Sequence, residues 1–134
     1  MEVRYGDLDP QGHLNNAKYL TYFEQARVQY LTELGLFTKD QSFMDIGVIV
    51  ADIHITFKTP VLWGLPINVG VRTVKIGNKS ITLDQCLTNR ETERLYASGS
   101  VILVAYDYRR HATIPVPSEW REKATRFEGH ALSG

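Results

Sequence analysis

Between Asn15 and Leu34, apolar side chains occupy more of a helix's circumference than a single packing partner needs. Leu20, Phe23, Ala26, Tyr30, Leu31 and Leu34 recur at the spacing that stacks side chains on one helical face. Tyr19, Tyr22 and Val28 fall beside that row and widen it. Asn15 and Asn16 are both good N-caps and Gly35 is a C-terminal stop, so the pattern predicts a helix over 15–34, about 30 Å long. A helix with so broad an apolar surface has to be wrapped by something.

The wrapping material follows directly. Ile49, Ala51, Ile53, Ile55 and Phe57 alternate with Val50, Asp52, His54, Thr56 and Lys58 until Pro60 ends the run, the pattern of a half-buried strand. Residues 66–76 and 79–89 alternate as well, and Gly77-Asn78 between them suits a two-residue hairpin turn. Residues 94–106 make a further long run, expected at a sheet edge where its unpaired backbone invites a second copy of the chain. Pro115 and Pro117 mark an exposed connection over 109–117, and Ser118 is expected to cap a short terminal helix. A strand, one long apolar helix and several antiparallel strands give an α+β fold in one domain spanning 1–134, an antiparallel sheet curled around its helix.

Composition removes several function classes. Fifteen basic residues balance fifteen acidic ones, so the chain lacks the net positive field that drives non-specific nucleic-acid binding. The single cysteine, Cys86, excludes an internal disulfide, argues against a cysteine metal site, and is expected to be a small core residue. No apolar stretch reaches the roughly 20 residues of a membrane span, and no basic start precedes an apolar run. A soluble cytoplasmic protein is expected. His54 lies among alternating strand residues and His111 and His130 fall in exposed segments with no ligand spacing, so no metal is expected. No cofactor is expected either.

The order of Tyr5, Asp7, Asp9, Gly12, Asn16, Tyr19, Glu24 and Arg27 resembles the opening motif of the 4-hydroxybenzoyl-CoA thioesterase family. The resemblance covers residues 3–31, while the rest of the chain agrees in strand order and spacing. It implies the hotdog fold and hydrolysis of an acyl-CoA to a free acid and coenzyme A, with an acyl-carrier-protein thioester as the alternative substrate. It further implies that Asp9 is the catalytic carboxylate and that a backbone N–H near Asn16 polarises the thioester carbonyl. The Gly-His-Leu-Asn-Asn segment is similar to that of long-chain acyl thioesterases, which implies an aliphatic acyl group. Members of the family often place the nucleotide site between subunits, which implies a homodimer or homotetramer.

The same residues make chemical sense on their own. An attacked thioester gains negative charge on oxygen, and a helix start offers unpaired N–H groups at the positive end of a dipole. Asp9, just upstream, suits either attack on the carbonyl or removal of a proton from water. Asp7 is a second carboxylate or a loop brace. His13 orients Asp9, touches substrate, or caps the helix; Asn15 is a cap or a substrate contact. Tyr19 and Tyr22, nearest the reactive end, are candidate walls of an acyl tunnel, although aromatic residues on a buried helix otherwise belong to the core. Glu24 and Arg27 pair with each other or anchor the helix to the sheet. Lys58, Arg72, Lys75, Lys79, Arg109 and Arg110 are available for coenzyme A phosphates. Two other classes compete: a non-catalytic acyl-binding protein in which Asp9 is a turn residue, and a hydroxyacyl dehydratase, whose usual His-Phe-Pro loop is missing.

Overall fold

The computed structural model describes residues 16–34, 46–62, 64–130 and 132. Helix α1 (Asn16–Glu33) is followed by strands β1 (Ile46–Phe57), β2 (Ile67–Ile76), β3 (Ser80–Asn89) and β4 (Leu95–Asp107), the two-residue β5 (Ala112–Thr113) and helix α2 (Ser118–Glu128). The strands form one antiparallel sheet in the order β1-β4-β3-β2, with β5 on β4. Two apolar clusters lie between this sheet and α1. Tyr19, Tyr22 and Phe23 pack with Val61, Ile67, Leu87, Tyr96 and Ala97 at one end. Tyr30, Leu31 and Leu34 pack at the other, with Leu83, Val101, Leu103 and Trp120 among their neighbours. Most of the wide apolar surface of α1 is therefore spent on a sheet that reaches round it, while Leu20 and Val28 are left exposed at 45% and 48%.

Strand β4 is not an edge. It pairs with β1 on one side and β3 on the other, and its Val101, Leu103 and Ala105 are fully buried. Among the described strands, the ends of the sheet are β1 and β2. The expected alternation of β1 also breaks, because a bulge between Val50 and Asp52 inserts one residue. Opposed residues of an antiparallel pair share a face, so Val50, Ile53, Ile55 and Phe57 stand on the helix side with Leu103, Val101, Gly99 and Ala97, whereas Ile49 stands on the other.

Gly99 lets β1 and β4 come close under the helix. A Cβ built there meets the His54 carbonyl oxygen at 2.8 Å and the Phe23 ring at 3.6 Å. Between β2 and β3 the chain turns on Asn78-Lys79, one residue later than expected, and the Gly77 N–H donates to the Ser80 carbonyl at 2.8 Å. Arg121 of α2 donates to the carbonyls of Gly77 and Asn78, fixing α2 over this hairpin. Helix α2 starts from Pro117 without a side-chain cap, so Ser118 is its first residue and not its cap. Gly129, at φ 82°, ends it in the left-handed conformation that its missing Cβ permits. Cys86 is half-buried on the face away from α1, opposite Gly70 and Ser98, and not in the core.

Candidate active site

Of the segment expected from the sequence to carry the site, the structure describes the N-terminal end of α1. Asp7, Asp9, His13 and Asn15 lie outside the described residues; Asn16 is the first residue of the helix. No acidic side chain occupies the first turn, so the helix itself supplies no carboxylate to its own leading N–H groups.

Tyr19 and Tyr22 are brought together, each 2% exposed, in the apolar cluster at this end. The Tyr19 hydroxyl is held by the Val61 backbone N–H, while burial of the ring pushes its pKa upward. The Tyr19 ring stands edge-on to Phe57, with centroids 4.8 Å apart and planes at 79°. Val61, Phe57 and Tyr96 therefore frame the first turn from the sheet side. Sequence reasoning missed them, although Phe57 sits in phase with the inward residues Ile53 and Ile55 and could have been read as a neighbour of the helix.

Two turns further on, Arg27 is 7% exposed and its Nη1 donates to Gln85 Oε1 at 3.0 Å, while Gln85 Nε2 donates to the Phe23 carbonyl at 2.8 Å. Burial lowers the Arg27 pKa and the charge of Glu24 opposes that shift. Of the two expectations for Arg27, the anchoring one holds: the link runs to the sheet through Gln85. The signal for Gln85 was a polar residue in phase with Ile81, Leu83 and Leu87 on an inward strand face.

The candidate coenzyme A cations are scattered. Arg72 is paired with Asp84 at 3.4 Å and Lys79 donates to Thr113 Oγ1 at 3.3 Å. A cavity of about 640 Å³ lies on the far face of the sheet, lined by His54, Arg72, Asp84, Cys86, Ser98 and Ser100 among others. Asn16, Tyr19 and Tyr22 do not line it. Among the described residues, no group of three His, Cys, Asp or Glu side chains is placed to hold a metal, and no helix is long and apolar enough to cross a membrane.

A family profile described as the thioesterase-like superfamily matches residues 3–124. The chain belongs to this superfamily. The match is to the superfamily as a whole, coarser than the family whose opening motif the chain resembles. Within the thioesterase-like superfamily, the long-chain acyl-CoA thioesterase FadM of Escherichia coli is 26% identical over 123 residues, 92% of each chain. A thioesterase of Thermus thermophilus, solved with coenzyme A and Zn, is 32% identical, with 98% of this chain and 93% of that one covered at a TM-score of 0.84. The BH1999 gentisyl-coenzyme A thioesterase is 26% identical, with 92% and 95% covered at a TM-score of 0.81. The fold is accordingly the hotdog, the α+β class expected from the sequence.

Proposed function

We propose that this member of the thioesterase-like superfamily hydrolyses acyl-CoA thioesters to a free acid and coenzyme A. The observation that carries the reading is the superfamily match over residues 3–124, which embraces both the Asp9 segment and the helix it precedes. In this reading the first-turn N–H groups of α1, near Asn16, stabilise the developing oxyanion. Asp9 attacks the carbonyl or activates the water, His13 orients it, and Asn15, Tyr19 and Tyr22 contact the substrate. FadM supports an aliphatic acyl group, in line with the Gly-His-Leu-Asn-Asn segment. The test is thiol release from a panel of acyl-CoAs and acyl carrier proteins. Turnover is expected with coenzyme A esters, and binding without thiol release overturns the reading in favour of a carrier.

The active form is proposed to be a homodimer, or a tetramer built from it, joined at β1. This edge strand leaves Val50 and Ile53 exposed at 48% and 40% on the helix side of the sheet. Leu20 and Val28 on α1 are exposed as well, two turns apart on one helical face. Antiparallel pairing of two β1 edges about a two-fold axis satisfies their backbone groups and buries these side chains together.

A further inference from the structure

Phe57 is an exposed aromatic ring on a fixed base. It is the last residue of β1 and pairs with the buried Ala97 of β4. Just beyond it, the Lys58 and Thr59 N–H groups both donate to the Tyr96 carbonyl, at 2.8 and 3.2 Å, so the backbone on either side is held to β4. On the helix side the ring makes a T-shaped contact with Tyr19, which is itself buried and tied through its hydroxyl to Val61. Phe57 nevertheless remains 47% exposed.

The position of that open surface matters. Tyr19 belongs to the first turn of α1, and helical side chains lean toward the N-terminus. The Tyr19–Phe57 pair therefore stands beside the helix start, where the oxyanion donors of the proposed reaction are found. A large apolar ring left partly in water at that point is stabilised by covering it with hydrocarbon. The open part of the ring, buttressed by Tyr19, accommodates methylenes running past it, whereas a branch or aryl ring next to the carbonyl competes for the volume that Phe57 already fills.

We propose that Phe57 contacts the first carbons of the acyl group and selects unbranched acyl chains over those bulky next to the thioester carbonyl. This inference rests on the thioesterase reading above. It is tested by comparing thiol release from butyryl-CoA, isobutyryl-CoA, hexanoyl-CoA, octanoyl-CoA and benzoyl-CoA by the wild type, Phe57→Ala and Phe57→Leu. The ratio of kcat/KM for isobutyryl over butyryl, and for benzoyl over hexanoyl, is expected to rise about tenfold in Phe57→Ala and less in Phe57→Leu. The octanoyl-to-hexanoyl ratio is expected to stay put, because those carbons lie beyond the ring.

Thermal melting and sedimentation of each variant accompany the kinetics, since a ring that serves only packing or subunit contact changes those readouts and leaves the ratios alone. Ratios that stay within about twofold of wild type in a folded variant overturn the role of Phe57 while the thioesterase reading stands. A uniform fall across all five esters does the same. If Phe57→Ala does not fold, Phe57→Leu carries the comparison. A wild type that releases thiol from none of the esters overturns the thioesterase reading and this inference with it.

Discussion

Arg27 and Gln85 form a polar bridge between the two apolar clusters: the guanidinium donates to Oε1 at 3.0 Å, and the amide of Gln85 turns back to the Phe23 carbonyl at 2.8 Å. A buried cation tolerates desolvation only when its donors are answered. Gln85→Leu removes the acceptor and leaves the charge in place, so a loss of about 2 kcal/mol is expected, within the range for a hydrogen bond to a charged group. Urea unfolding measures it. The double variant Arg27→Met with Gln85→Leu is expected to lose less than the two single variants added together. Strict additivity would show that the bridge is not an energetic unit.

The second prediction concerns the far end of α1, where β2 carries a bulge between Thr73 and Lys75. The Tyr30 hydroxyl lies 2.7 Å from Thr73 Oγ1 and donates to Glu128 Oε1, and the Thr73 N–H donates to both Tyr30 Oη and Glu128 Oε1, at 3.1 and 3.0 Å. Burial, and then the hydrogen bond to Glu128, push the Tyr30 pKa from 10.0 up to about 12. A raised folded-state pKa means that the neutral phenol is favoured in the folded state. Its contribution is complete below pH 10 and fades as pH rises toward 12, and it is on the order of 2 kcal/mol. Other tyrosines and lysines titrate there too, so the readout is the stability of wild type minus Tyr30→Phe in urea at pH 9 and pH 11. That difference is expected to shrink at the higher pH. An unchanged difference argues that the phenol ionises as freely in the folded chain as in the unfolded one.

Much of this architecture was legible because period and burial agree. The helix at 16–33 declared itself through Phe23, Tyr30 and Leu31, and β3 through a strict alternation in which every second residue from Ile81 to Asn89 is buried. What escaped was register. A bulge is one residue that alternation cannot announce, so strict alternation puts Ile49 and Val50 on the wrong faces. Strand order escaped for a related reason: the length and apolar character of 94–106 suit a central strand as well as an edge, and only its pairing on both sides separates the two. The helix start was readable as an electrostatic feature of Asn16 and its turn, but the Phe57 and Val61 side of it depends on contacts more than 30 residues away in sequence.

Assembly gives the third prediction. Ile53 stands on the helix side of an edge strand, 40% exposed, where the proposed two-fold brings its counterpart near. A lysine placed on such an edge disfavours strand pairing, because its charge is desolvated when the edges meet. Wild type is therefore expected to sediment as a dimer or tetramer, and Ile53→Lys to shift toward monomer while retaining its far-ultraviolet circular dichroism. A wild type that is active and purely monomeric refutes the proposed interface.

The last prediction separates the two aspartates that precede the helix. Both lie in the segment that the superfamily match covers, and both sit within ten residues of the start of α1. Position alone does not rank them; the resemblance of the opening motif implies the catalytic role for Asp9 and leaves Asp7 as the brace, and substitution tests that order. The nucleophile or base must give an electron pair, to the carbonyl carbon or to a proton of the attacking water, and a neutral amide does neither efficiently. A bracing carboxylate only accepts hydrogen bonds, and an amide oxygen accepts them still. Asp9→Asn is thus expected to lower kcat by about 10²–10⁴-fold with the fold intact, whereas Asp7→Asn keeps more of the activity. Single-turnover thiol release on both variants, with circular dichroism to verify folding, gives the order directly. The reverse order moves the catalytic role to Asp7 and leaves the proposed oxyanion site near Asn16 unaltered, since that proposal rests on the helix and not on either carboxylate.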